Sequence, residues 1–450
     1  MAGAGHSAVD VNVDHPPAAP RRLAQQERLP YERRPSSGRM FPLQPDTPTD
    51  IAERRKDPPP RALLWLLIGI ASIGPMSLNI IMPALPGIAA ALQSDPTTVQ
   101  LLLSLYLVFM AIAQLVLGAL SDRFGRRPVL LGGLLLTVLV SLAALFAASI
   151  SSLIVARALQ AFGASTGIVI SRAIIRDLYD RDKSASMLAV VTMVIMVVPT
   201  LVPPLGGLLQ MTLGWQSIFA AVALFAAALL TWIWIALPET HTVPTGGGGL
   251  IRFADEFRFL LANRAFNGYV LAGSFSSALF FIFLGGAPHV IATFQGRSAF
   301  ELGLWLTVAA LTYMVGNFMS ARYAIRFGVD ALIAVGAAIA VVGGIVGLIL
   351  VIGFPHLGPI IIALPQGITA FANGLVVPNA IAGAVSVRPQ AAGTAAGIQG
   401  FVQMGIAAAA AQLVSHLLTA HGNADPMAWM LFASSVISAL AFVLLVWRPR

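Results

Sequence analysis

The chain has no cysteine in 450 residues, and only 10% of its residues carry charge. The first absence excludes disulfides and thiolate metal sites. The second excludes an ordinary water-soluble domain, where about a quarter of the residues are charged. Acids are scarcer than bases, 19 against 27, and histidine occurs only seven times. No HExxH, no GxSxG and no carboxylate pair falls inside an apolar stretch. Nothing therefore points to an enzyme, a metal site or a cofactor.

What is present is apolar. Hydrophobic residues make up 57% of the chain, and its mean hydropathy is +0.83. An aqueous core could not hide that much apolar surface, so the lipid bilayer is the natural solvent. The formal charge of +8 sits between apolar runs and not in one patch. That pattern points to membrane topology and away from nucleic acid. Residues 1–60 differ from all that follows: they hold 11 of the 29 prolines and mixed charges. They read as a disordered tail, because so polar a segment cannot bury enough surface to offset its ordering entropy. Its polar start does not resemble a cleavable signal peptide.

The uncharged stretches give the layout. Residues 62–94, 96–121, 128–156, 265–296, 302–321, 389–424 and 426–447 each accommodate one helix of about 20 residues. The uncharged runs 184–238 and 331–387 are each long enough for two, breaking at Leu213-Gly214-Trp215-Gln216 and Phe354-Pro355-His356. One more span, near 152–175, carries Arg157 and Arg172. The expectation is twelve transmembrane helices. Lysine and arginine bias places the tail and both termini in the cytoplasm, with only Arg297 in an opposite loop.

The connection near 239–266 contains a GGGG run and divides the chain into halves, 61–238 and 267–450, of six helices each. A weak repeat supports this: Gly118, Arg123 and Gly125 after helix 2 are echoed by Gly316, Arg322, Arg326 and Gly328 after helix 8. Internal repeats of this kind mark secondary transporters.

The stretch GALSDRFGRRPVLLGG, 118–133, packs Asp122, Arg123, Arg126 and Arg127 into the turn between helices 2 and 3. Its glycine, acid, glycine and basic-pair spacing resembles the signature of the major facilitator superfamily. The resemblance implies that Gly118 and Asp122 face the start of helix 11, AAGTAAG (391–397), and that Arg126 pairs with Asp177 of helix 4. The turn thus reads as a cytoplasmic gate. RALQAFGAS (157–165) is similar to the helix 4 motif of the superfamily, with Arg157, Gln160 and Gly163 in register. A cavity-facing Arg157 is the implied role, and snorkelling to the outer interface the alternative. PTLVPPLGGLL (199–209) looks like the helix 5 signature of exporters and suggests a hinge at Pro199, Pro204, Gly206 and Gly207. Within the superfamily, the drug-resistance group typified by bicyclomycin and chloramphenicol efflux proteins also matches MPALPGIAAAL (82–92) and the approach to helix 11 (378–403).

One position departs. The acid that the group usually carries in helix 1 is Asn79 here, which hydrogen-bonds but cannot take up a proton. His289 is the candidate substitute carrier, with a plain polar helix end as the alternative. Other polar groups within spans that suit a transport cavity are Tyr106, Gln114, Asn373, Gln399 and Gln403. Phe109, Met193, Met196, Phe280 and Phe283 would supply its apolar wall. With Arg157 as its one fixed charge, such a cavity suits a neutral or weakly charged amphiphile. The resemblance implies a monomeric multidrug efflux transporter of the inner membrane, exchanging substrate for protons. The alternative is a facilitator or importer of a small metabolite, uncoupled from protons because of Asn79.

Overall fold

The computed structural model describes residues 61–179, 187, 190, 191, 197–240, 257–388 and 391–447. The tail, Met193, Met196 and the GGGG run lie outside these residues. The described chain is all α-helical. The helices are α1 (Arg61–Ile80), α2 (Pro96–Phe124), α3 (Arg126–Ala144), α4 (Ile150–Leu178), α5 (Val198–Leu213) and α6 (Gln216–Ala236). After the connection come α7 (Arg264–Ala287), α8 (Ala299–Phe327), α9 (Val329–Gly353), α10 (Ile360–Ser386), α11 (Ala392–His421) and α12 (Asp425–Phe442). Eleven are long and apolar enough to cross a membrane; α5 is described over only 16 residues.

Local chemistry sets the ends. Asp95, Ser149, Asn263 and Ser298 cap α2, α4, α7 and α8, each side chain accepting an amide three residues on. Gly214, at φ +81°, separates α5 from α6 inside the uncharged 55-residue run. The run 62–94, expected as one helix, is interrupted. A 3₁₀ turn at Met82–Ala84 precedes a short helix, Leu85–Ala91, because Pro83 and Pro86 lack the amides an α-helix needs there. In the matching place, α7 passes at Pro288 into a π-helical turn, Pro288–Phe294.

The packing repeats with a shift of six helices. The pairs α1–α4, α1–α5, α1–α6, α2–α4, α3–α4 and α3–α6 recur as α7–α10, α7–α11, α7–α12, α8–α10, α9–α10 and α9–α12. Between the halves, α2 packs on α11 and α5 on α8, and the same shift exchanges these two seams. Side chains such as Leu224, Trp234 and Ile235 of α6 stand exposed on the outside. An apolar exterior of this kind suits lipid. The fold is that of an all-α polytopic membrane protein with two pseudo-symmetric six-helix halves.

Candidate functional site

The α2–α3 turn is built around Arg126, which is 7% exposed. Gly125 takes φ +94°, a value few side chains tolerate, and a Cβ there would lie 2.6 Å from Glu239 Oε2. Arg126 Nε donates to Asp177 Oδ2 at 2.9 Å, and its Nη1 donates to Ser121 Oγ at 2.6 Å and to Asp122. Glu239, just past α6, accepts the backbone amides of Arg126 and Arg127 at 3.0 and 3.1 Å. A carboxylate there satisfies two orphan amides and faces the positive end of α3. Arg127 Nη2 donates to Trp234 O at 2.8 Å, and Arg123 stacks on Phe124. The turn thereby ties α2, α3, α4 and α6 of one half together.

Among the described residues, no contact of Gly118 or Asp122 with the start of α11 is seen. Beyond its own helix backbone, no atom of the described residues lies within 4 Å of where a Gly118 Cβ would stand, and the Asp122 side chain is 47% exposed. Asp122 turns instead to Arg126 of the same turn.

At the opposite, distal end the halves are sealed. Thr97 Oγ1 donates to Thr419 Oγ1 at 3.3 Å, Gln412 Nε2 to Thr97 O at 3.0 Å and Ser104 Oγ to Gln412 Oε1 at 2.9 Å. On the second seam Thr307 Oγ1 donates to Thr200 O at 2.7 Å. Gly207 and Gly303 let the backbones meet: added Cβ atoms would lie 2.6 Å from Ala299 O and 2.7 Å from Pro203 O. These bonds between the halves, with Ser415 Oγ to Pro96 O at 3.4 Å, lie towards this distal end. Pro199 and Pro204 stand in α5 at the same seam, and Gly206 backs on Ile80 O of α1. The helix is continuous from Val198 to Leu213 with Pro203 and Pro204 inside it, and Gly206 and Gly207 serve close packing.

Arg157 neither snorkels outwards nor faces open space. It is 1% exposed, with Nη1 donating to Ser77 O, Ser77 Oγ and Gln160 Oε1 at 3.2, 3.0 and 2.5 Å. Its Nε reaches Leu102 O at 3.4 Å, and its guanidinium lies 4.2 Å from the Tyr106 ring centre. Gln160 Nε2 donates onward to Ser141 Oγ at 2.6 Å. Tyr106 Oη donates to Gly74 O at 3.1 Å, and Asn79 Nδ2 to Pro75 O at 2.8 Å. Tyr106, Arg157 and Gln160 are buried together among α1, α2, α3 and α4, where most of the guanidinium's donors go to protein while Nη2 has no partner among the described residues; Asn79 is buried on α1. No carboxylate pairs with Arg157 among the described residues.

In the second half, Asn373 accepts from Ser276 Oγ at 3.2 Å, and Gln403 Nε2 donates to Ser277 Oγ at 2.9 Å. Gln399, 1% exposed, packs against Gly273 of α7 with neither amide atom partnered. These three lie in interfaces within the half. Gln114 instead approaches the other half, 3.3 Å from an added Gly400 Cβ. His289 sits apart from the rest, in the π-helical turn at the distal end. Phe109 is half-buried on α2, and Phe280 and Phe283 stand on α7. Glu239 is the residue that reading the sequence missed; its only signal was its position as the first acid after the long uncharged run.

A family model described as the Major Facilitator Superfamily matches residues 67–411. The bicyclomycin resistance protein homolog of Haemophilus influenzae is 28% identical over 85% of this chain and 96% of its own. The chloramphenicol resistance protein of Pseudomonas aeruginosa is 33% identical over 65% of this chain and 71% of its own. Multidrug resistance protein D of Escherichia coli is 28% identical, covering 76% and 85%. A solved bacterial homolog of the human lysosomal transporter Spinster, inward-facing and unoccupied, aligns with a TM-score of 0.66 at 17% identity. It covers 86% of this chain and 96% of its own, a likeness of fold alone. With its motifs, its repeated helix packing and a match across most of its length, this multi-pass membrane transporter belongs to the major facilitator superfamily.

Proposed function

We propose that the chain exports small, neutral or weakly charged amphiphiles from the cytoplasm by alternating access, its halves 61–238 and 267–450 rocking about a site between them. The observation that carries this is the asymmetry of the two ends. The distal end is sealed by seams α2–α11 and α5–α8, while the end with the charged turn is free at Gly118. Lysine and arginine bias assigns the turn end to the cytoplasm, with both termini on that side. The conformation is then the inward-open one. The turn closes in the other state, when Gly118 and Asp122 meet the start of α11. The relatives named for resistance to bicyclomycin and chloramphenicol support outward transport of drug-like molecules.

Among the described residues no carboxylate is buried away from the turn, so a permanent dication meets no counter-charge there. Proton antiport is the coupling the relatives suggest. One proton moving through ~150 mV supplies about 3.5 kcal/mol, enough for a gradient of a few hundredfold. Asn79 favours a second reading, an uncoupled facilitator, because its amide is held by Pro75 O and carries no proton. Transport into inverted vesicles, over a panel of neutral and cationic drugs, decides between them. Uptake of a neutral drug that falls when the pH gradient is collapsed supports antiport; uptake indifferent to the gradient supports the facilitator. No uptake of any compound would remove export. An unchanged pH dependence in His289→Gln would remove that histidine from coupling.

A further inference from the structure

The distal end holds a cavity of about 280 Å³ between the two halves. Leu85, Ala89, Val99 and Gln100 contribute to its wall from one half, and His289 and Ser415 from the other. Most of this wall is apolar, but the polar groups in it are unusual. Gln100 is 3% exposed and its Nε2 has no partner. A buried donor left unpaired is costly, so an acceptor placed there is favoured. His289 makes no hydrogen bond among the described residues; its ring stacks edge-on against Phe294, 5.2 Å between centres. That stacking depends on the π-helical turn, which puts residues five apart on one face. Such turns inside α-helices are frequent at functional sites.

We propose that this cavity is a second binding site, distinct from any site at the turn end. Its ligand is a small neutral amphiphile with an apolar body of about ten heavy atoms and one carbonyl or amide acceptor. The apolar body packs against Leu85, Ala89 and Val99, and the acceptor takes the Gln100 amide. His289 offers a second polar contact across the seam. Because the wall comes from both halves, a bound molecule exists only while the distal seal is closed. Binding therefore holds the seal shut and slows any cycle that must open it. The proposal concerns binding and the seal alone, so it stands or falls independently of whether the chain exports drugs.

N-phenylacetamide is a probe of the right size and polarity, and n-propylbenzene is its apolar counterpart. Saturation-transfer NMR on the full chain in detergent reads their binding. Because the chain lacks cysteine, the paired variant Thr97→Cys/Thr419→Cys reports seal closure through the rate at which an added oxidant, copper phenanthroline, converts its two thiols to a disulfide. The expected result is saturable N-phenylacetamide binding, at least tenfold weaker in Gln100→Leu and in Ala89→Phe, which fills the cavity. Disulfide formation should run at least threefold faster with the probe bound. Equal binding of n-propylbenzene would overturn the proposal by leaving only an apolar void. Binding unaffected by Ala89→Phe would overturn it by placing the probe elsewhere, and bound probe with an unchanged disulfide rate would break the link to the seal. If both cavity variants fail to fold, the disulfide rate in the paired variant decides alone.

Discussion

Glu239 Oε1 accepts the backbone amide of Arg126 at 3.0 Å, across 113 residues of sequence. The contact anchors the end of α6 to the start of α3, where two amides would otherwise lack partners. Glu239→Ala should lower stability by about 1 kcal/mol, and Glu239→Gln by less, since the exposed charge is screened. Thermal unfolding in detergent at low and high salt checks both the size and its salt dependence.

Asp122 is ion-paired with Arg126. If it also meets α11 when the turn end closes, Asp122→Asn should fold and insert as the parent does yet export at least tenfold more slowly. Export at the parental rate from equal amounts of membrane protein would sink its role in gating.

The guanidinium of Arg157 serves Ser77, Gln160 and Leu102 at once. A lysine ammonium cannot span that fork. Arg157→Lys should cost about 2–4 kcal/mol, because buried acceptors lose their donors. A melting temperature within a degree of the parent would show that the clasp contributes little.

Which parts of this arrangement the sequence revealed follows from the range of the forces involved. Helix number and the break at Gly214 came from uncharged runs and a local turn, which act within a few residues. The interruption of α1 was visible too, as Pro83 and Pro86, but length alone made 62–94 look like one span. Helical spacing placed Gln399 and Gln403 on one face of α11; that the face meets α7 depends on packing. Glu239 could not be paired with the turn before α6 was known to return beside α3.

Gly207 of α5 lies against the backbone of α8 at Ala299 and Phe300. Gly207→Val would hold these helices apart and leave the distal end unsealed. A single cysteine at Gln100, the only thiol in the chain, should then react with a maleimide at least fivefold faster than on the parental background. Equal reactivity would mean the seam closes without this glycine.

The Asp95 carboxylate accepts from Thr98 N at 2.9 Å and Thr98 Oγ1 at 2.5 Å, and these bonds hold it below the usual carboxylate range. Its contribution is present above the unfolded value of about 3.9 and disappears as pH falls through the lower folded one. Asp95→Ala should therefore destabilise by about 0.5–1 kcal/mol at pH 7, and by less below pH ~3. Melting curves of parent and variant that stay equally far apart at both pH values would contradict this.

The meeting of Gln114 with Gly400 divides α2 unequally. At 1.5 Å per residue, about 27 Å of helix runs from that contact to Pro96, and about 15 Å to Phe124. If the helix tilts there as a lever on a fulcrum, the long arm sweeps nearly twice as far as the short one. A closing movement of about 6 Å at the charged turn would then part the distal seal by about 11 Å. The same rocking would thus leave a wider mouth at the distal end than at the charged-turn end, and a bulky molecule would meet its narrower passage at the turn.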